Sequence, residues 1–134
     1  VMAASFVLDR NPFRDQKYFM QASDQSLEYH KEQLQMYLNL VEEEFNELDQ
    51  AKTFDDHTEQ LDALVDIIVV AIGAIISMGV DPQKAWNEVI ATNIAKIDSK
   101  TGKVKKRADG KILKPEGWQP PDLSKFTTHL KEDK

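Results

Sequence analysis

The 134 residues suit one domain with a modest core, and the 41% hydrophobic and 30% charged content is that of an ordinary globular protein. The absence of cysteine excludes disulfides and thiolate metal sites, and three scattered histidines (His30, His57, His129) argue against zinc. A net charge of −6 weighs against a general nucleic-acid binder, yet residues 96–114 carry eight Lys or Arg against Asp98 and Asp109, so that this segment is +6 and the remainder −12.

Asn11-Pro12 marks a turn, and residues 13–22 read as a short helix. Ser23 or Asp24 is the expected N-cap of a long helix running to about Lys52. Within it Leu27, Leu34, Val41 and Leu48 recur every seven residues, with Leu38 and Phe45 beside them, a stripe expected to face the core. Asp55-Asp56 breaks the pattern and starts a helix to about Met78, whose segment from Leu64 to Ile76 is apolar almost all round and is expected to be the central helix. Its uncharged stretch, Ile67 to Val80, is 14 residues, short of the roughly 20 that a membrane span needs. The first residues, Val-Met-Ala-Ala-Ser, lack the charged start and apolar stretch of a signal peptide, so a cytoplasmic protein without membrane contact is expected. Gly79 ends the helix and Asp81-Pro82 restarts the chain with a cap and a proline at the first helical position. The next helix, about 82–97, has Ala85, Trp86, Val89, Ile90 and Ile94 on its apolar side. Lys103-Val-Lys-Lys and Lys111-Ile-Leu-Lys, with Gly102 and Asp109-Gly110 as turn signals, are expected to pair as a small hairpin. Pro115, Gly117, Pro120 and Pro121 enforce an irregular tail. The expected architecture is all-α: a four- to five-helix bundle with a short C-terminal hairpin and irregular tail, forming one domain over residues 1–134.

Four carboxylates stand out. Glu44 and Glu47 lie in the run Leu40 to Leu48, and Asp62 and Asp66 in the run Leu61 to Val70. Spacings of three and four put each pair on one side of its helix, the apolar side. A Glu-rich helical run is ordinarily a solvated face, but Glu44 falls inside the apolar stripe, three residues after Val41 and four before Leu48. Glu43 points further out. Asp66 opens the long apolar run, and a lone buried Asp would cap a loop or pair with a lysine; Asp62 four residues earlier argues for a bridging cation, because two close carboxylates repel. Unpaired buried carboxylates cost several kcal/mol, and all-oxygen donors favour a hard ion, so the set points to Mg2+, with Mn2+ able to substitute. Asn93 and Lys96, one turn apart before the basic segment, are candidates for a phosphate or sugar contact, or else an ordinary helix-end pair.

These residues in this order resemble the all-α nucleoside triphosphate pyrophosphatases, the superfamily of MazG, dimeric dUTPases and phosphoribosyl-ATP pyrophosphohydrolases. Glu44-Phe-Asn-Glu47-Leu48 is similar to the Glu-x-x-Glu-Leu metal motif, and Asp66-Ile-Ile-Val-Val to the aspartate that ends the second motif. Asn93-Ile-Ala-Lys96-Ile-Asp, Gly102-Lys, Arg107 to Pro115 and Trp118-Gln-Pro-Pro-Asp-Leu123 resemble a MazG-like, phosphoribosyl-ATP pyrophosphohydrolase-like branch; the likeness covers about residues 14–123. One departure is that Ala63 occupies the glutamate position of a Glu-x-x-Asp motif ending at Asp66, with Asp62 the nearest substitute.

The resemblance implies cleavage between the α- and β-phosphates of a nucleoside triphosphate, giving monophosphate and pyrophosphate, in nucleotide-pool control. Magnesium would sit on Glu44, Glu47, Asp62 and Asp66, with Glu44 or Glu47 taking a proton from the attacking water. Lys96 and some of Lys103, Lys105, Arg107 and Lys111 would hold the phosphates, with Asn93 beside them. A purine deoxynucleotide (dGTP or dATP) is the expected substrate, and Trp86, Trp118, Phe13 and Tyr18 are the aromatic candidates for its base, each with a core role as the alternative. A homodimer or homotetramer is the implied assembly. Two rival readings are a non-catalytic module that binds a metal-nucleotide, kept open by Ala63, and true phosphoribosyl-ATP hydrolysis, which the tail argues against.

Overall fold

The computed structural model describes residues 10–132. Four α-helices run in chain order among these residues: α1 (Pro12–Ala22), α2 (Lys31–Thr53), α3 (His57–Ser77) and α4 (Pro82–Ile94). Two short strands follow, β1 (Ile97–Asp98) and β2 (Lys103–Val104), and then two 3-10 turns. The chain divides after Pro82 into two compact units, so α1 to α3 make the first and α4 with the basic tail the second.

In the first unit, Asn11 caps α1 by accepting from the backbone N–H groups of Phe13 and Arg14, and Pro12 supplies the preset first helical position. The long helix starts later than expected. Ser23 closes α1 instead, Asp24 takes a left-handed backbone (φ 57), and His30 Nδ1 caps α2 by accepting from Gln33 N–H. The intervening loop is held by the Gln33 side chain, which accepts from Ser26 N–H and donates to both Ser26 O and Ser77 Oγ. Asp56 caps α3 and Gly79 follows its end at φ 75, as the sequence predicts.

α2 and α3 pack along their lengths and α1 lies against α3. Met20, Tyr37, Ile72, Ala74 and Ile76 form the core, with Phe13, Leu27, Leu34, Leu40 and Val70 against it. The reason lies at Gly73: a Cβ there would fall 2.3 Å from Tyr37 Cε1, so the glycine admits the ring against the α3 backbone. The buried Tyr37 hydroxyl donates to Gln25 Oε1 and accepts from Gln16 Nε2. Seating Tyr37 and Gln33 inward turns other residues out. Leu38 and Phe45, expected in the core stripe, are exposed, Phe45 by 55%.

α3 is the central helix of the first unit as expected, packed by both α1 and α2, but its apolar surface is not covered all round. Leu61, Leu64, Val65, Ile68 and Val69 are exposed, Leu61 by 63% and Ile68 by 54%. Among the described residues α3 is the one helix long and apolar enough to cross a membrane, by length and composition, with mean hydropathy 2.0 over an 18-residue stretch. The expectation set this aside on the shorter 14-residue uncharged run.

In the second unit α4 begins at Pro82 and ends at Ile94, and Trp86 and Ile94 are exposed. The regular pairing is β1 with β2, antiparallel, Ile97 opposite Val104 and Asp98 opposite Lys103. The expected hairpin survives as one bridge, Lys106 to Ile112, flanked by hydrogen bonds from Arg107 N to Lys111 O and Leu113 N to Lys105 O.

Candidate active site

The acidic residues sit on the paired helices α2 and α3. Glu44 and Asp66 are half-buried, whereas Glu47 and Asp62 are exposed, so only one of each pair is withdrawn from solvent as the sequence suggested. Glu44 Oε2 is enclosed without a hydrogen-bond partner, and the carboxyl shares a hydrogen bond with Glu47. Burial first, then that shared bond and the charges of Glu47, Asp66 and Asp62, push the Glu44 carboxyl from its ordinary 4.5 up to about 7. Asp66 is raised too, by burial and then by Asp62 and Glu47. The structure therefore brings all four carboxylates within one another's field.

It does not bring them to a point. Among the described residues no three acidic or histidine side chains converge closely enough to grip a metal as they stand. Repulsion acts over longer distances than ligation, which requires oxygens at about 2.0–2.6 Å, so these side chains would have to change rotamer before they could hold a metal. An enclosed, unpartnered carboxylate oxygen among mutually repelling carboxylates suits a hard divalent cation of the Mg2+ or Mn2+ kind.

Glu47 and Asp62 also line an open cleft of about 590 Å3 together with Gln50, Phe54, Asp56 and Glu59. Asp56 is occupied as the α3 cap, with its side chain accepting from Glu59 N–H. Glu59 was not singled out from the sequence, although the signal is present: Glu59-Gln-Leu-Asp62 has the Glu-x-x-Asp spacing one turn before the position where Ala63 seemed to break it. Ala63 is only 2% exposed and faces the core. Residues 59, 62 and 66 fall on a common side of the helix, so a glutamate accompanies the two aspartates there.

In the second unit, Lys96 is half-buried and its Nζ donates to Asn93 Oδ1 at 3.1 Å. Lys96 and Lys105 line a pocket of about 280 Å3 with Lys114, a residue the sequence reading counted only as part of the basic segment. Lys103 lies opposite Asp98 in the strand pair. Arg107 is engaged with Asp109, by Nε at 3.0 Å and by a second contact, and holds that carboxyl below its usual range. Lys111 donates its backbone N–H to the same aspartate. The predicted basic set therefore separates into pocket lysines and an ion-paired turn.

The family model for phosphoribosyl-ATP pyrophosphohydrolase matches residues 17–93, more than half of the chain. The chain belongs to that family. As a member of the phosphoribosyl-ATP pyrophosphohydrolase family it falls in the all-α NTP pyrophosphatase superfamily and is a hydrolase acting on phosphoric anhydrides. The match takes in all of α2 and α3, and with them the whole acidic cluster, and it stops before Lys96. No curated protein matches the chain.

Proposed function

We propose that this pyrophosphohydrolase cleaves nucleoside triphosphates between the α- and β-phosphates, (d)NTP and water giving (d)NMP and pyrophosphate, with purine deoxynucleotides preferred, in control of the nucleotide pool. The observation that carries the reading is Glu44: a carboxyl raised to about 7, with one enclosed oxygen lacking a partner, inside a group of four carboxylates. Glu44, Glu47, Asp62 and Asp66, with Glu59 at the cleft, are the residues that would hold magnesium. When bound, the cation supplies neutralisation of charge on the phosphate oxygens. Glu44 or Glu47 takes the proton of the attacking water. Lys96 and Lys105 of the second unit have the charge to hold phosphate oxygens.

We further propose a homodimer or homotetramer. Leu38, Phe45, Leu61, Leu64, Val65 and Ile68 are large, apolar and exposed on α2 and α3, more uncovered hydrocarbon than a monomer ordinarily leaves in water. A second copy of this chain is the occupant that fits.

The family description favours one other substrate, phosphoribosyl-ATP. A single assay separates the readings: pyrophosphate release from the eight common (d)NTPs and from phosphoribosyl-ATP, with magnesium and with chelator. Magnesium-dependent release from (d)NTPs supports the proposal. Release from phosphoribosyl-ATP alone replaces it, and binding without release identifies a regulatory module.

A further inference from the structure

The pocket of the second unit has a charge and size that point to one class of ligand. Lys96, Lys105 and Lys114 line it against the single carboxylate Asp98, and Ala95, Ile97, Leu113 and Pro115 give it apolar walls. Asp98 is already engaged, its Oδ1 accepting from Lys100 N–H at 2.8 Å. The ammonium groups of Lys96 and Lys114 both rest on Trp118, 5.1 and 4.8 Å from the centre of its ring. The indole is fixed in turn by Nε1–H donating to Thr92 O at 2.7 Å. Two like charges drawn to one ring repel each other, and a multivalent anion relieves that repulsion. The volume, about 280 Å3, lies just below the range of about 300–1,000 Å3 usual for drug-sized ligands. It suits a chain of phosphates better than a whole nucleotide.

We propose that this pocket binds a di- or triphosphate group, that Lys114 is a binding residue alongside Lys96 and Lys105, and that Trp118 is a positioning residue that sets Lys96 and Lys114. The ligand's identity, the triphosphate of a substrate or the pyrophosphate released from it, rests on the hydrolase reading above. The pocket itself does not.

The test is calorimetric titration of the full chain with inorganic pyrophosphate in chelator, where no turnover occurs, with folding of each variant checked by circular dichroism. Wild type binds. Lys114→Ala weakens binding about tenfold to a hundredfold, the scale of one charge-assisted contact. Trp118→Leu weakens it several-fold and Trp118→Phe restores it, because phenylalanine keeps a ring face but not the bond to Thr92. Lys125→Ala, whose ammonium pairs with Glu88 away from the pocket, binds as wild type. Inorganic phosphate binds more weakly than pyrophosphate, and an advantage of a triphosphate over pyrophosphate assigns the pocket to substrate rather than product. The proposal is overturned if wild type does not bind pyrophosphate, if Lys114→Ala binds normally, or if Lys125→Ala loses as much as Lys114→Ala. The positioning role falls if Trp118→Phe is as weak as Trp118→Leu. A protein that binds in this pattern yet hydrolyses no triphosphate keeps the pocket and loses the enzymatic reading.

Discussion

Glu44→Gln is the perturbation that most directly probes the repelling carboxylates, because it keeps the volume and removes the charge. A carboxyl raised from 4.5 to about 7 in the folded protein favours folding while protonated. That contribution is fully present below about pH 4.5 and is lost as the pH rises through about 7. At about 1.4 kcal/mol per pH unit the ceiling is about 3 kcal/mol. Glu44 is only half-buried, so solvent screening reduces the expected loss to about 1–2 kcal/mol. Urea unfolding in chelator at pH 5 and pH 8 measures it. Wild type should lose that much more stability between the two than Glu44→Gln does, and at pH 8 Glu44→Gln should be the more stable protein. Magnesium should restore wild type at pH 8 by binding the native state alone, and should do little for the variant. Equal pH dependence of the two proteins, or a less stable Glu44→Gln at pH 8, would refute the argument that these carboxylates are held together against their repulsion.

Asp66→Asn should remove magnesium-dependent turnover and weaken the melting-temperature rise with magnesium, leaving helical circular dichroism intact; near-normal turnover would make the residue structural. Glu59→Ala and Asp62→Ala should each raise the magnesium concentration needed for half-maximal activity, which a magnesium titration at saturating substrate reads directly. Lys96→Ala should lower kcat/KM about tenfold to a hundredfold with little change in magnesium dependence, whereas Arg107→Ala, already committed to Asp109, should lower it less than threefold. Gly73→Ala should destabilise by about 1–3 kcal/mol despite alanine's better helix propensity, since its Cβ collides with the Tyr37 ring; a rise in melting temperature would show that the ring moves freely.

Most helix caps were legible because they are local; the start of α2 was not, since His30 takes the place expected of Ser23 or Asp24. Asn11-Pro12, Asp56, Gly79 and Asp81-Pro82 each act within a turn of themselves, and the helices they bound are where the sequence puts them. The inward side of α2 was legible in its heptad, since Leu34, Val41 and Leu48 are part-buried and Tyr37 shares their face. Its width was not, because Gly73 on a different helix admits the Tyr37 ring and Leu38 and Phe45 are left outside. Reading Leu38 and Phe45 as core followed from counting apolar residues alone. Ala63, at the glutamate position of the second acidic motif, faces inward, and Glu59 one turn earlier escaped notice because it lies outside that motif. In the basic tail, composition announced the charge but could not sort it. Which lysines share a pocket depends on chain folding around Trp118, and Arg107 is claimed by a residue two positions on.

The polar side chains at the centre of the first unit have a consequence of their own. Gln33 and Ser77 are buried and bonded to each other, and Tyr37 meets both Gln16 and Gln25. Leucines in these places would tolerate several neighbouring rotational settings of α2 about its axis, because hydrocarbon contacts carry no direction. Directed hydrogen bonds admit one, since any other strands a buried donor or acceptor. The knot therefore works as a clock setting. By fixing the angle at which α2 meets α3, it decides that Glu44 and Glu47, two to three turns further along, arrive on the side where Asp62 and Asp66 are waiting.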